Sequence, residues 1–353
     1  MKGCMAAKKG KGSSSTSPTI TDVARRAGVS RTAVSYVLND RGQRNKHVSD
    51  ETRAKVLQAV QELHFRPDAL ARALSLGHSE EIVLIVDTAL SPFVVEFITS
   101  LQQQALLYGY IPVLYFSQGF SAEQRKELHE TIFARRPIGI ICNPFNFTAA
   151  DVALAREMGV KHIIFLGFHA EPIEQTYSIV FPSQALGYLA AQHLLARGHH
   201  HLALVHPNDP IQEEAFAQRL EGMRAALTEE TGVSLDILPL DLSPSAALSL
   251  VETSLLGPDR PTGIYAFSDE YAAVLLGALT RLGIRVPQEI ALVGTDNTPF
   301  CEYVWPSLTS MSFDALDLGK RAVELLHALH QGLPLPEELT HPLVPQLILR
   351  EST

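Results

Sequence analysis

Between Ile82 and Thr295 the chain repeats one pattern, a short continuous apolar run followed by a longer amphipathic stretch. The runs are IVLIVD (82–87), IPVLYF (111–116), GIIC (139–142), HIIFLG (162–167), IVF (179–181), HLALVH (201–206), GIYAFS (263–268) and IALVGT (290–295). A run that is apolar on both faces belongs in a sheet covered on both sides. Such sheets are built from parallel strands joined by right-handed helical crossovers. The stretches from Pro92 to Tyr108 and from Ala122 to Arg135 read as two of those helices. Ligands of such sheets sit beyond the carboxyl ends of the strands, where the loops converge.

That pattern begins only after residue 81, so the first eighty residues need a separate account. At 353 residues the chain exceeds one ordinary domain, and with 46% hydrophobic residues it has the means to bury more than one core. No apolar run reaches the ~18–20 residues that would span a bilayer, so no membrane partner is expected. The opening MKGCMAAKKGKGSSSTSP has lysines but no apolar centre, so it reads as a flexible basic tail over residues 1–18, not a secretory signal. The three cysteines, Cys4, Cys142 and Cys301, are far apart and match no metal-ligand spacing. Free thiols of this kind suit a reducing cytoplasm. Residues 1–78 carry 14 Lys and Arg against 6 Asp and Glu, whereas the remainder carries 15 against 32. A basic head on an acidic body fits a phosphate-binding module joined to a domain that does not bind nucleic acid.

Inside the head, Thr19-Ile-Thr-Asp22 has the form of a capping box, with Asp22 at the positive end of the helix dipole. Ile20, Val23, Ala24 and Ala27 recur at helical spacing, and Gly28 ends the helix. Val29 plugs the turn and Ser30 caps a second helix, whose Val34, Val37 and Leu38 form the inner stripe. Arg31, Thr32, Ser35 and Tyr36 are left outside. Two short helices joined through A-G-V-S form a helix-turn-helix, whose second helix enters the major groove of double-stranded DNA. There Arg31 can grip guanine with two hydrogen bonds, while Thr32 and Tyr36 reach base edges, thymine methyls or phosphates. A bare helical bundle is the plainer alternative. Arg41, Arg44 and Lys46 read as phosphate contacts in the loop that follows. Ser49 caps a third helix whose Val56, Leu57, Val60 and Leu63 are expected to close the core. After Pro67 only about two turns of helix remain before Gly77, a length marginal in water by itself.

TITDVARRAGVS, TAVSYVLN, SDETR and PDALARAL together resemble the LacI/GalR (lactose-repressor/galactose-repressor) family. The resemblance runs from residue 19 to 350, with SPF (91–93), RGH (197–199), PTGIYAFSD ending at Asp269 and RVPQEIALVGTDN (285–297) as its body motifs. It implies a small all-α helix-turn-helix head with a hinge helix. It also implies an α/β two-lobed sensor domain that resembles periplasmic binding proteins, with parallel sheets flanked by helices. The DNA-binding domain would span 19–66, the hinge helix and linker 67–80, and the effector-binding and dimerisation domain 81–353. Lobe 1 is expected at about 81–180 and 313–340, and lobe 2 at about 181–312 and 341–353, with crossings near Phe181, Ser312 and His341. By the same resemblance Arg31, Thr32 and Tyr36 read bases, and Thr19, Ile20, Ser35 and Asn39 complete the contact surface. Ala71 faces the minor groove and Leu74 is a wedge that opens a central C-G step. The Arg41–His47 loop departs from the best-known members by about four extra residues.

For the sensor, the resemblance implies a cleft lined by Phe93, Val94, Phe181, Glu213, Arg219, Tyr265, Asp269 and Asp296. An aromatic such as Phe93 or Tyr265 stacks on a sugar or base, and Asp296 accepts two ligand hydrogens. Asp269 and Asp296 as caps of the helices that follow are the alternative. Two departures bear on the effector. Phe181-Pro182 stands where many members have Asp-Asn, and Glu213 stands where purine-sensing relatives present an arginine. An anionic effector is thereby disfavoured, leaving a neutral or amine-bearing one.

Other candidate sites fall away. The consecutive His199-His200-His201 point in different directions, so no metal site is expected. Glu213-Glu214 are neighbours in a polar segment and not an acid/base pair, and no nucleophile elbow, P-loop or dinucleotide fingerprint occurs. No catalytic residue and no cofactor is therefore expected, only a small-molecule effector. Trp305 is expected to pack at the lobe junction. The resulting expectation is a homodimer on a palindromic operator, controlled by a sugar or related metabolite and acting as a repressor. Its dimer contacts would be the helix from Pro92 and its counterpart near Ala272–Arg281. The family's tetramerising C-terminal heptads are not found, which favours a dimer over a tetramer. A free solute-binding protein, a regulator with an emptied pocket answering to a protein partner, and an enzyme on the same scaffold remain alternatives.

Overall fold

The computed structural model describes residues 18–39, 48–66, 73, 76–88, 90–144, 147–167, 176–228, 230–336, 339 and 341–353. The chain divides into two compact units, Met1–Ser79 and Glu80–Thr353.

In the first unit three helices, α1 (Ile20–Ala27), α2 (Arg31–Asn39) and α3 (Asp50–Glu62), close over a small core. The Thr19 side chain accepts from the Asp22 amide and Asp22 accepts from the Thr19 backbone, so the capping box forms. Gly28 ends α1 with φ 69°, and its amide donates to the Ala24 carbonyl. That left-handed turn swings Ser30 into place to accept from the Ala33 amide at the start of α2. Val23, Ala24, Val34, Val37, Val56 and Ala59 fill the centre, with Val29, Leu38, Val60 and Leu63 around them. One expectation fails here. Leu57 is 47% exposed, because the inward stripe of α3 runs through Val56, Ala59, Val60 and Leu63 and turns the next position outward.

The second unit holds two sheets. The first has the order β2-β1-β3-β4-β5, with β1 Glu81–Val86, β2 Ile111–Phe116, β3 Gly139–Cys142, β4 His162–Gly167 and β5 Tyr177–Val180. All its pairings are parallel, with Val83 opposite Val113 and Ile140 opposite Ile163. Helices α4 (Pro92–Leu107), α5 (Ala122–Ala134) and α6 (Ala149–Glu157) connect them. The second sheet has the order β11-β10-β9-β8-β6-β7. Its strands are β6 His201–Pro207, β7 Ser234–Leu240, β8 Gly263–Tyr265, β9 Ala291–Thr295, β10 Thr309–Ser312 and β11 Gln346–Ile348. Only β10 and β11 pair antiparallel. Around it run α7 (Ser183–Ala196), α8 (Glu213–Leu227), α9 (Pro244–Ser254) and α10 (Asp269–Arg281).

The chain passes between the sheets after Val180, after Ser312 and again between Gln331 and Gln346. On the second passage it forms α11 (Ala315–Gln331), which packs on α4. Gly319 makes that contact close, since a Cβ there would lie 2.6 Å from the Phe97 carbonyl oxygen. Ser100 donates to the Leu316 carbonyl and Gln104 to Glu324, which fixes the register of the two helices.

Two surface expectations change. Trp305 does not pack at a junction but is 80% exposed, beside Tyr303 at 78%. The apolar side chains of α10, among them Ala272, Leu275, Leu276 and Leu279, are buried within their own unit, leaving Gly277, Thr280 and Arg281 outermost. No helix among the described residues is long and apolar enough to cross a membrane.

Candidate functional site: the reading helix and the strand ends

On the head, the outward face of α2 presents Arg31, Thr32 and Tyr36 to solvent, with Ser35 half-buried between them. Val34 and Val37 on the opposite face lock the helix to the core, so these side chains stand on a rigid base. Thr19 is exposed and Ile20 half-buried at the start of α1, where free amides suit a phosphate. The Arg26–Glu62 ion pair ties α1 to α3. Asn39 closes α2. Ala71 and Leu74, and the loop residues Arg41, Arg44 and Lys46, lie outside the described residues.

In the second unit, polar groups gather at the carboxyl ends of β8 and β9. Asp296 follows β9 with φ 99°, a backbone conformation that a residue with a side chain rarely adopts. Its amide donates to the Met311 carbonyl at 2.7 Å, while its carboxyl takes no hydrogen bond from the described residues. Burial, then the neighbouring Asp269, push that carboxyl up to about 7, against the pull of the Arg219 guanidinium. An unusual backbone conformation and a shifted carboxyl in one residue make Asp296 the candidate ligand contact of this site. Arg219, on α8, is 5% exposed. It lies over the Phe267 ring at 4.2 Å and donates one terminal nitrogen to the Phe267 carbonyl, while its Nε has no partner.

The other expected cleft residues behave differently. Tyr265 is fully buried, and its hydroxyl accepts from Thr295 Oγ1 at 2.9 Å. Asp269 is also fully buried. It accepts from the Thr298 amide at 2.7 Å, from the Thr298 hydroxyl at 2.9 Å and from Ser310 Oγ at 2.6 Å. The residue before α10 is Ser268, so Asp269 is a knot binding the helix start to the Asp296 loop and to β10. In this conformation neither side chain presents a surface to a ligand. They hold the backbone that carries Asp296. Glu213 is exposed and pairs with His206 at 2.8 Å. On the first-sheet side Phe93 packs against Phe313 at 4.9 Å, and Phe181 against the same ring at 5.4 Å. Val94 is half-buried beside them. Phe313 and Phe267 escaped the sequence reading. Phe313 lies outside any strand run and carries no periodic signal, although the Ser312-Phe313 position at the second passage between lobes marked the place. Phe267 stood inside the run GIYAFS, where nothing set it apart from its neighbours.

The histidine run takes separate partners, His199 with Thr262 and His201 with Asp236. Among the described residues no cluster of His, Cys, Asp and Glu could hold a metal ion.

A helix-turn-helix head beside a two-sheet binding fold defines a ligand-controlled DNA-binding regulator, and comparison with known proteins gives the family. A family model described as bacterial regulatory proteins, lacI family, matches residues 19–68. A second, a periplasmic binding protein-like domain, matches residues 191–353. The chain is 30% identical over 314 residues to the HTH-type transcriptional repressor PurR of Edwardsiella ictaluri, covering 87% of this chain and 89% of that protein. To PurR of Vibrio vulnificus it is 31% identical over 314 residues, covering 87% and 90%. A lac repressor dimer bound to operator and the anti-inducer ONPF superposes with TM-score 0.75 at 26% identity, over 96% of this chain and 99% of that one. A transcriptional regulator CelR–cellobiose complex superposes with TM-score 0.64 at 25% identity, over 95% and 100%. The chain belongs to the LacI family of bacterial regulatory proteins. It is a DNA-binding transcription regulator of the repressor type and not an enzyme.

Proposed function

We propose that the protein works in the cytoplasm as a homodimeric repressor. Each head takes one half of a palindromic operator, and a small metabolite, a sugar or a relative of one, alters its grip. The observation that carries this reading is the outward face of α2, where Arg31, Thr32 and Tyr36 stand exposed on a helix locked by Val34 and Val37. Ala71 and Leu74 complete the operator contact through the minor groove. Selection of bound sequences from random duplex DNA tests it. The full chain should enrich a palindrome, and Arg31→Ala should lose on the order of 1–3 kcal/mol at one base position. An equal loss on every sequence would place Arg31 on phosphate and remove the base-reading role.

The dimer reading is supported by apolar side chains left to water. Trp305 and Tyr303 stand out beside the second sheet, and Val95, Leu106 and Leu107 on α4. Aromatic residues exposed to this degree mark association surfaces. Light scattering should give twice the chain mass for the unchanged protein and a lower mass for Trp305→Glu. A monomeric unchanged protein would sink the reading.

Arg219 and Asp296 supply the effector reading, the one through a buried Nε that finds no protein acceptor and the other through a half-buried carboxyl with no side-chain hydrogen bond. Phe93, Val94, Phe181 and Phe313 give an apolar wall at the passages between lobes. The CelR relative is seen with cellobiose. A metabolite library screened for altered operator affinity tests this part directly. If no compound alters operator binding, the pocket is not a sensor.

A further inference from the structure

Four adjacent strands of the second sheet, β9, β8, β6 and β7, are each followed within a few residues by a carboxylate, three in loops and one in the first turn of α10. Asp296 follows β9, Glu270 lies just past β8, Asp209 follows β6 and Asp241 follows β7. They act on one another's surroundings. Asp209, Asp241 and Glu270 all raise the Tyr271 hydroxyl, with burial the larger cause, and Glu270 also raises Asp296. Each of the outer three already has one donor. The Ile211 amide serves Asp209, Asn208 serves Asp241, and Ser268 serves Glu270. Those donors are neutral, so the charge remains. Glu213 adds a further carboxylate, shared with His206. Against this row stand one guanidinium, Arg219, and one imidazole, His206.

An acidic row alone could be a solvated rim, but the buried Arg219 Nε is independent of it. An orphaned donor on a 5% exposed side chain needs an acceptor that the protein does not supply. Its neighbour Asp296 is a half-buried carboxyl with no hydrogen bond from the described side chains.

We propose that the effector of this site carries a protonated amine, drawn to the row of Asp296, Glu270, Asp209 and Asp241 and paired with the carboxylates nearest to it, and an oxygen or ring nitrogen that accepts from Arg219 Nε. This rests on the effector reading above and gives it a chemical class. The amine offsets the like charge of the carboxylate row, and the acceptor lets Arg219 stay buried without an unpaired donor. An anionic metabolite would meet the same row as repulsion.

The test uses the full chain and two sets of compounds matched in shape. One is glucosamine, glucose and glucose 6-phosphate; the other is putrescine, 1,4-butanediol and succinate. Calorimetric titration should show the amine member of at least one set binding about tenfold or more tightly than its neutral partner. The exposed Asp241→Asn should shrink that preference without shifting the melting point of the unliganded chain. With putrescine, whose amines stay charged throughout, affinity should also rise from pH 6 to pH 8 as Asp296 ionises. Tighter binding of the neutral or anionic member overturns the amine while leaving the sensor reading intact. Binding of none of the six also overturns the amine, and the sensor reading is then decided by the metabolite screen on operator affinity.

Discussion

Asp296 is the residue to which the proposed effector reading is tied, and its chemistry predicts its own cost. A carboxyl with an ordinary value near 4 in the unfolded chain sits at about 7 in the folded one, with burial first and Asp269 next as causes. The folded state therefore holds the proton more tightly. Stability from this group is full below about pH 4 and is lost as pH rises through 7. Asp296→Asn keeps the neutral shape and removes the ionisation. The unliganded variant should be more stable at pH 8, by on the order of 2–4 kcal/mol, and by about a third of that near pH 5. Thermal unfolding at the two pH values decides it, and equal melting at pH 8 would mean that the ionised acid is already compensated. The place of this residue after a strand was legible in the apolar run IALVGT, while its expected place in the cleft came from the family resemblance. The burial of Tyr265 and Asp269 was not legible. A motif places a residue in the chain, but whether its side chain points to a ligand or into a knot of Thr298 and Ser310 depends on long-range contacts.

Among the elements, those with an apolar run were legible and those without one were hidden. β10 reads Thr-Ser-Met-Ser, yet Thr309 and Ser310 are fully buried, satisfied by Thr353, Ser352 and Asp269. β7 lies at the sheet edge, where much of its length faces water, so its alternation is broken. Neither could show a continuous apolar signal. Glycines in helices were equally silent, and two of them set the site. A Cβ on Gly187 of α7 would fall on the Arg219 carbonyl, and one on Gly222 of α8 on the Gln184 carbonyl. The two helix backbones touch there, and the touch fixes the height of Arg219. Gly187→Ala should destabilise by about 1–3 kcal/mol through overpacking. It should also blunt the response of operator binding to effector, while the separate head still binds DNA. A Cβ on Gly277 of α10 would meet no other atom within 4 Å. Gly277→Ala should therefore stabilise by about 0.5–1 kcal/mol. Chemical denaturation of both variants checks the pair, and similar effects of the two would refute the close crossing.

At the scale of the whole molecule, half-buried histidines should shape the response to acid. His162 on the first sheet is held down to about 4, by burial first and then by His330, Arg156 and Lys161. His327, stacked on Tyr108 at 4.0 Å and bonded to the Tyr110 hydroxyl, is lowered by burial. Beside the second sheet, burial and then Arg197 lower both His193 and His199. A histidine whose folded value lies below its ordinary 6.5 is kept neutral by the fold. Its contribution to stability is present above pH 6.5 and is lost as pH falls toward 4. Asp296 runs the other way over the same interval, gaining stability as it takes up its proton. Four histidines oppose two carboxyls, Asp296 and Asp269, the latter also raised by burial, and with the histidines in the majority the larger unit should lose stability on acidification from pH 7 to pH 5. His162, with the largest displacement, should account for on the order of 1–3 kcal/mol. His162→Gln, which cannot take up the proton, should flatten that slope, and so lower the dependence of melting temperature on pH more than it lowers stability at pH 7. Calorimetric scans across the interval measure both. A variant with the slope of the unchanged protein would show that His162 is already protonated in the fold, and would leave the acid response to the histidines of the second sheet.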